Sequence, residues 1–408
     1  MAQRLEAYQV IVSNRLVAHL FSRGQNMWLD WQKGYWEDPH RPVLGMTFED
    51  SPGQRISSTQ VLPPWFGHLL PEGVLRRWVA QDIKATSPAE LPLLRRLGHD
   101  LPGAIQVVAA EGEVDPSWHP ETVLAPSRPR DVTSSGLRFS LAGVALKFSM
   151  VSEADRLVIP AHDEDGDWIA KMPDAVHAFV PHNEFAVMTM AARVGIDVPT
   201  IRLVHRDQVP DPPDAAWPNR EEWAYAIRRF DRPRRGVRTH MEDMAQVRGV
   251  PVGDAKYLGS YETVGNIVTR ALGREAYLEF VRRVFFSYAV GNGDLHLKNL
   301  SILYPDGRGA HLAPAYDLVS TAGYGFEGAD EMALRLDRAR RFSHVSPQSF
   351  DRLARRVGES VDATRDVVQR VAAGLPAAWD EVEESLAMLP GHQRWLADRI
   401  ADVSRRFA

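Results

Sequence analysis

The sequence contains no cysteine among its 408 residues. Disulfide bonds, thiol nucleophiles and thiolate metal sites are therefore excluded. The sequence also lacks any apolar run that approaches the roughly 20 residues of a membrane-spanning helix, and its first residues lack the apolar core of a signal peptide. A chain without thiols fits a reducing compartment, and the expected location is the cytoplasm.

The chain has no large excess of charge of either sign. Lys and Arg number 48 and Asp and Glu number 53, which gives a net charge of −5. Overall charge therefore does not favour nucleic-acid binding, and any role on DNA would need a partner. Hydrophobic residues make up 44% of the chain and charged residues 25%, as in ordinary globular proteins. At roughly 150 residues per domain, the length favours two or three domains.

Strand patterns dominate the first half of the chain. Residues 8–12 and 16–21 flank a tight turn at Ser13-Asn14, which predicts a β-hairpin. Further strands are predicted at 105–108, 198–204 and 223–227. The tryptophans at 28, 31 and 36 are expected in the core of the first domain, although an aromatic group of this kind could also form a partner surface.

Helical spacing dominates the second half, from Thr239 onward. One helix is expected to begin at Ser346-Pro347 and to end at Gly358. An earlier helix, running to Val194, is predicted to have Asn183 as its cap. The sequence therefore predicts an α+β fold with a β-rich N-terminal part and a mostly helical C-terminal part.

A short polar loop follows a predicted helix and contains Asp294 and, five residues later, Asn299. Asp317 follows across a predicted hairpin. A carboxylate can orient and deprotonate an acceptor hydroxyl, and carboxylate and amide oxygens suit Mg²⁺, so this order predicts phosphoryl transfer. The same residues could instead cap the loop, with His296 as a packed loop histidine.

Other candidate residues also have two interpretations. Lys171 ends an apolar strand and could hold nucleotide phosphates, or extend its ammonium group to solvent as strand lysines often do. Glu184 could pair with Lys171 or favour the start of its helix. The stretch 134–148 contains a small-residue loop that could approach an anion closely, and Ser140 could be a phosphorylation site or a turn hydroxyl. The arginine-rich run 228–238 is either a solvated hairpin or a contact for acidic groups.

Two familiar motifs are rejected. The tripeptide His205-Arg206-Asp207 matches a kinase catalytic loop, but proline stands five residues after its aspartate. The segment 323–328 has the glycine spacing of a dinucleotide-binding loop, but no strand leads into it and no amphipathic helix begins in it.

Taken together in their order, several short stretches resemble the HipA family of bacterial toxin kinases over nearly the full length. They are 69–73, 100–103, 139–147, 169–173, 183–184, 229–232, 240–243, 291–299 and 316–318.

The resemblance implies a protein-kinase-like, two-lobed α+β fold. Residues 1–103 would form an N-terminal subdomain, 104–235 a nucleotide-binding N-lobe and 236–408 a helical C-lobe with the catalytic loop. The expected cofactors are ATP and Mg²⁺.

The resemblance also assigns roles to residues. Asp294 would be the catalytic base, with Asn299 and Lys298 in the catalytic set, and Asn299 and Asp317 would bind Mg²⁺. Glu184 would support Lys171, and Ser140 would be autophosphorylated, which silences the enzyme. The ATP-binding set would be Leu141, Ala142, Gly143, Val144, Ala145, Leu146, Lys147, Lys171, Arg228, Arg229, Phe230 and His296.

The function implied is that of a serine/threonine kinase toxin that phosphorylates a protein, as family members do to an aminoacyl-tRNA synthetase, and so inhibits translation. A HipB-like helix-turn-helix antitoxin would be the partner and the link to DNA. A catalytically weak corepressor with a kinase fold and a small-molecule phosphotransferase are the alternatives. Ala145-Leu146 and Arg228 depart from residues common in the family, which leaves the loop's mobility and the substrate open.

Overall fold

The structure is a computed structural model that describes residues 4–83, 90–120, 146–153, 156–159, 165–326 and 328–408. The chain divides into two compact units. The first comprises residues 1–139, 231–255 and 303–309, and the second comprises 140–230, 256–302 and 310–408.

Strands and helices are numbered in chain order. The strands are β1 Leu5–Val12, β2 Arg15–Arg23, β3 Asn26–Trp31, β4 Ile56–Thr59, β5 Ile105–Ala109, β6 Lys147–Glu153, β7 Arg156–Val158, β8 Trp168–Lys171, β9 Ile201–His205, β10 Trp223–Arg228, β11 His240–Asp243, β12 Ser301–Tyr304, β13 His311–Leu312, β14 Glu331–Leu336 and β15 Ala339–Arg341. The helices are α1 Met46–Glu49, α2 Pro64–Gly67, α3 Gly73–Asp82, α4 Glu90–Leu97, α5 Val180–Arg193, α6 Met244–Val247, α7 Tyr261–Leu272, α8 Arg274–Ala289, α9 Pro347–Val357, α10 Val361–Val382 and α11 Pro390–Phe407.

The first unit is built on a five-stranded sheet with the order β4-β3-β2-β1-β5. Its β1–β2 hairpin turns at Ser13 and Asn14, which both have positive φ, as a two-residue hairpin turn requires. Trp28 is buried and stacks on Phe21, while Trp31 and Trp36 are partly buried against the hydrophobic core of this unit. The predicted hairpin and the predicted core position of the tryptophans are confirmed.

A buried carboxylate ties together distant parts of this first unit. Glu242, on β11, is fully buried. Its Oε1 accepts hydrogen bonds from the backbone N–H of Met46 at 2.7 Å and from the Tyr304 hydroxyl at 2.5 Å, and its Oε2 accepts one from Trp65 Nε1 at 3.1 Å. Burial raises the pKa of Glu242 to about 7, although these hydrogen bonds favour the charged form.

The expectation of helix from Thr239 onward is wrong for its first residues, because 240–243 form β11. The helical structure begins only at α6. There the side chain of Asp243 accepts a hydrogen bond from the backbone N–H of Gln246, and the Gln246 side chain accepts one from the backbone N–H of Asp243. This reciprocal capping marks the end of the strand and the start of the helix.

The second unit contains another five-stranded antiparallel sheet, with the order β7-β6-β8-β10-β9. Helix α5 follows β8 and begins at Val180, so Asn183 lies inside the first turn and is not the cap predicted from the sequence. Phe179 precedes the helix with φ of 54°, and Pro181 stands in its first turn, where its missing N–H costs nothing.

Long helices fill the rest of the second unit. Tyr277, Val281, Val284, Phe285 and Tyr288 recur at helical spacing and are all buried on α8, and the second half of this helix is buried on its other sides as well. Helix α9 begins directly after Ser346 and ends at Gly358, whose φ of 78° suits a glycine at a helix end, so both predicted limits are confirmed. Among the described helices, none is long and apolar enough to cross a membrane.

The domain limits predicted at residues 103 and 235 remain predictions. Strand β5 begins two residues beyond the first of them and pairs with β1, so it belongs to the first sheet.

Replacing Glu242 by Gln should change how stability depends on pH. Because the pKa of Glu242 is about 7 in the folded protein, against 4.5 for an ordinary glutamate, the folded state keeps a proton that the unfolded state releases between these values. From pH 5 to pH 8 the free energy of unfolding of the wild type should therefore fall relative to Glu242→Gln, by up to about 3 kcal/mol.

Urea unfolding at several pH values measures this difference. Glu113→Gln, which removes a carboxylate from an exposed position, is the control and should follow the wild type. Parallel curves for the wild type and Glu242→Gln would contradict the prediction.

Candidate active site

Two lysines and a tyrosine form a row across the second unit's sheet. Lys171, at the end of β8, is paired in register with Lys147 of β6 on one side and with Tyr225 of β10 on the other. Residues directly opposite each other on antiparallel strands project from the same face. The Lys171 ammonium lies 5.5 Å from the centre of the Tyr225 ring. The ammonium groups of Lys147 and Lys171 repel each other, so nearby carboxylates are needed to offset the repulsion.

Asp317 supplies one of these carboxylates. Its Oδ1 accepts a hydrogen bond from Lys171 Nζ at 2.5 Å, and its Oδ2 accepts one from Lys147 Nζ at 3.2 Å. Asp317 has a φ of 58°, a conformation that is costly for a non-glycine residue and that its surroundings must maintain. The two ammonium groups hold its side chain in that position.

Glu184 supplies the second carboxylate and also pairs with Lys171 Nζ. It comes from the first turns of α5, and its neighbour Asn183 ties this helix to the segment after Asp317. The Asn183 amide donates to the carbonyl of Ser320 at 2.9 Å and accepts from the backbone N–H of Ser320 at 3.1 Å. The sequence suggested a capping role for Asn183, whereas its side chain brings Glu184 and Asp317 to the same lysine.

The cluster is buried, and its charges depend on one another. Burial alone would lower the pKa of Lys171, but Asp317 and Glu184 outweigh burial and raise it. Burial would raise the pKa of Asp317, but Lys147 and Lys171 outweigh burial and lower it, so Asp317 stays ionised. Burial raises the pKa of Glu184 to about 7 against the opposing effect of Lys171. Lys171 therefore holds two carboxylates whose pKa values are shifted in opposite directions.

The polar loop that contains Asp294 begins where α8 ends. A Cβ on Gly291 would collide with the Trp395 ring, and one on Gly293 would lie 2.6 Å from the carbonyl oxygen of Glu331. Both positions therefore need glycine. The backbone N–H of Gly293 donates to the Thr321 hydroxyl at 2.7 Å, which anchors the loop to the segment that follows Asp317.

Asp294 and Asn299 are joined within this loop. The Asn299 amide nitrogen donates to the backbone carbonyl of Asp294 at 2.8 Å, and the backbone N–H of Asp294 donates to the Asn292 side chain at 2.8 Å. The hydroxyl of Tyr257 donates to Oδ1 of Asp294 at 3.2 Å. Asp294 is only 4% exposed.

His296 connects the loop with the charge cluster. Its Nε2 lies 3.7 Å from Oδ1 of Asp294, and its charged form is one of the influences that lower the pKa of Asp317, after burial and the two lysines. Both aspartates therefore lie within electrostatic reach of one histidine. Lys298 is half-buried, and its carbonyl accepts a hydrogen bond from the Tyr316 hydroxyl at 2.7 Å.

The structure places the other residues that were predicted to bind nucleotide as follows. Arg228 ends β10 and is exposed, whereas Arg229 is buried and donates to the Ser149 hydroxyl at 3.1 Å. Phe230 lies against the Tyr316 ring, with 5.5 Å between ring centres. Leu146 is buried. Ser140, Leu141, Ala142, Gly143, Val144 and Ala145 lie outside the described residues.

The residues present fit a magnesium ion held together with a nucleotide. Asp317 is ionised, and the Asn299 amide nitrogen faces the Asp294 carbonyl, which leaves the amide oxygen of Asn299 on the other side for a cation. These are hard oxygen ligands, and Mg²⁺ usually takes only one or two carboxylates besides phosphate oxygens. The described residues contain no group of three or more His, Cys, Asp or Glu that could hold a metal ion.

Comparison with known proteins places the chain in a family. Residues 139–379 match the model of the HipA-like C-terminal domain, and residues 8–108 match that of the HipA N-terminal domain. The chain belongs to the HipA family. The family predicted from the sequence is confirmed.

Two curated relatives of this HipA-family protein come from Sinorhizobium fredii. The one named "Putative kinase Y4dM" is 39% identical over 88% of this chain and 87% of its own length. The one named "Putative kinase Y4mE" is 31% identical over 76% of this chain and 78% of its own.

The structure of Shewanella oneidensis HipA, solved with HipB and operator DNA, matches 98% of this chain and 99% of that one, with a TM-score of 0.75 and 19% identity. This likeness shows the fold, and the predicted α+β class, with a β-rich N-terminal region and a helical C-terminal part, is confirmed.

Sequence reasoning missed one residue and one contact at this HipA-family site. Nothing in the sequence indicated that Tyr257 lies beside Asp294, because 37 residues separate them. The contact of Lys147 with Asp317 was also missed, since Lys147 was predicted only to bind nucleotide as part of a loop. The register between β6 and β8 places Lys147 opposite Lys171. The register of strands that are not consecutive in the chain cannot be read from one sequence.

Replacing Asp317 by Asn should destabilise the folded protein. The amide would leave the buried ammonium of Lys171 with only Glu184 as a partner, and breaking a buried ion pair typically costs ~3–5 kcal/mol. Urea unfolding of the wild type and the variant would measure the loss.

Asp214→Asn is the control, because Asp214 pairs with Arg206 while its own side chain is 98% exposed. That change should cost about 1 kcal/mol or less. Equal stability of Asp317→Asn and the wild type would show that the cluster is not held together as described.

Proposed function

We propose that this HipA-family protein is an ATP-dependent serine/threonine protein kinase and the toxin of a toxin–antitoxin pair. The observation that carries the proposal is the buried contact of Lys171 with both Glu184 and Asp317, close to the loop of Asp294 and Asn299. A lysine held by a helix glutamate beside a metal-binding aspartate is the arrangement that protein kinases use to position nucleotide phosphates.

Bound Mg²⁺–ATP would supply the γ-phosphoryl group. Lys171 would hold the nucleotide phosphates, and Asn299 and Asp317 would hold the magnesium ion, while Arg228, Arg229 and Phe230 would lie along the adenine. Lys147 and Lys171 now use both oxygens of Asp317, so each would exchange this carboxylate for phosphate oxygens.

Asp294 would act as the general base. Its carboxylate would accept the proton of a serine or threonine hydroxyl while that oxygen forms its bond to phosphorus and the bond to the ADP leaving group breaks. Lys298, four residues later, would stabilise charge near the transferred group. His296 lies close to Asp294 and contributes to the lowered pKa of Asp317, so its imidazole would stand near the nucleotide phosphates.

The partner that we propose for this chain is based on a relative of known structure. Because the Shewanella HipA was crystallised with HipB and operator DNA, we propose a helix-turn-helix antitoxin as the partner of this chain. Because this chain has a net charge of −5, it is not itself suited to bind DNA, so contact with DNA would be made by that partner. The proposed substrate is a protein, an aminoacyl-tRNA synthetase, whose phosphorylation would inhibit translation. Mass spectrometry of proteins phosphorylated after induced expression would identify the substrate.

Ser140 is the proposed autophosphorylation site, by which the kinase would silence itself. Incubation with Mg²⁺–ATP should place phosphate on Ser140 in the wild type, and Ser140→Ala should stay active for longer. Phosphopeptide mapping that finds no phosphate at Ser140 would contradict this proposal.

Asp294→Asn should reduce phosphoryl transfer by about 10²–10⁴, the usual effect of losing a general base, while the protein stays folded. Transfer of labelled phosphate from ATP to proteins of a cell lysate would measure the change, and isothermal titration with Mg²⁺–ATP would show that nucleotide binding is retained.

Asp207→Asn is the control, since Asp207 belongs to the rejected His-Arg-Asp tripeptide and its side chain is 85% exposed. This variant should label proteins as the wild type does. Wild-type labelling by Asp294→Asn would refute the kinase proposal, and absence of Mg²⁺–ATP binding to the wild type would instead favour a corepressor.

A further inference from the structure

Tyr257 lies against the side chain of the proposed catalytic base. It ends the 3-10 helix Asp254–Tyr257, and its hydroxyl donates a hydrogen bond to Oδ1 of Asp294 at 3.2 Å. Both residues are buried, Tyr257 at 7% and Asp294 at 4% exposure. A hydrogen bond from a neutral donor to a carboxylate in such surroundings is stronger than one in water, because the local dielectric constant is low.

Tyr257 is itself held in place on two sides. Its carbonyl oxygen accepts a hydrogen bond at 2.9 Å from Arg340, and a second nitrogen of that guanidinium donates to the carbonyl of Ala333 at 2.9 Å. Its ring meets the His296 ring edge-on, with 5.2 Å between centres. The hydroxyl is therefore presented by a fixed group and not by a mobile surface side chain.

Two further contacts of Asp294 hold the loop through its backbone. Asn299 donates to its carbonyl, and Asn292 accepts from its N–H. Neither contact restricts rotation of the carboxylate about the Cβ–Cγ bond, a torsion that is intrinsically soft. The Tyr257 hydroxyl does restrict it, because rotation would take Oδ1 away from the donor. His296 Nε2 also lies near Oδ1, but its distance of 3.7 Å is too long for a hydrogen bond.

We propose that Tyr257 is a positioning residue that fixes the orientation of the Asp294 carboxylate for proton transfer. This inference rests on the proposed kinase function. Tyr257 keeps its own proton throughout. The proton released by the acceptor hydroxyl goes to Asp294, whose Oδ1 is held by the tyrosine. An error of about 1 Å in the placement of a reacting group can cost about 10²-fold in rate.

Tyr257→Phe tests the proposal, since it removes only the hydroxyl and keeps the ring that packs on His296. The expected result is a kcat lower by about 10-fold to 100-fold, with the KM for ATP and the affinity for Mg²⁺–ATP within about 2-fold of the wild type. An equal kcat would overturn the proposal. A joint loss of kcat, nucleotide affinity and thermal stability would mark a structural role and would also overturn it.

Tyr277→Phe is the matched control. Tyr277 is also a buried tyrosine, and its hydroxyl is hydrogen-bonded at 3.1 Å to Thr364 and not to a residue of the proposed site. It loses one buried hydroxyl contact, as Tyr257→Phe does, and should keep the wild-type kcat.

A double-mutant cycle separates this inference from the kinase proposal. If Tyr257 acts only through Asp294, adding Tyr257→Phe to Asp294→Asn should not lower the residual rate further. An additional loss of about 10-fold would show that Tyr257 acts independently of the base, and would overturn the positioning role. A wild-type protein that transfers no phosphoryl group refutes both proposals, whereas an active wild type matched by Tyr257→Phe refutes only this one.

Discussion

The buried contact of Lys171 with Asp317 is the constraint on which the site depends. Neither group could be buried alone, because an isolated charge in the interior costs more than most single interactions can offset. The lysine comes from the sheet and the aspartate from a loop 146 residues later, so this pairing joins distant parts of the second unit. Glu184 completes the arrangement from α5. The left-handed backbone of Asp317 is tolerated because its side chain has two ammonium partners.

Much of the site could be predicted because its residues stand at element ends that local sequence defines. Lys171 ends an apolar strand, Glu184 follows shortly after the start of a helix, and Asp294 and Asn299 lie in a loop opened by glycines. The same holds for α9, whose limits are set by Ser346-Pro347 and Gly358. At these positions local propensity, capping and the tertiary structure agree, and sequence reasoning works where such agreement exists.

The parts that could not be predicted depend on tertiary contacts. Lys147 contacts Asp317 because β6 pairs with β8 in one particular register. Tyr257 reaches Asp294 across 37 residues, a separation that no local sequence pattern spans. The sequence predicted Asn183 as a helix cap, but its side-chain amide is hydrogen-bonded to the backbone of Ser320.

The sequence also predicted helix from Thr239 onward, but residues 240–243 form a strand. Its Glu242 is buried, where Met46, Trp65 and Tyr304 donate hydrogen bonds to the carboxylate.

Two kinds of contact hold this site: neutral hydrogen bonds to backbone atoms, and ion pairs between side chains. Asn299, Asn183 and Tyr261 bind backbone atoms of the loops around Asp294 and Asp317, and such contacts do not depend on the charge of any carboxylate. Lys147, Lys171 and Asp317 bind one another through charged side chains, which can exchange one anion for another. Ionic partners can therefore be exchanged within a loop framework that neutral hydrogen bonds keep in place. On the proposed function, a site with this division would rearrange its charges around phosphates while the loop that carries Asp294 stays in place.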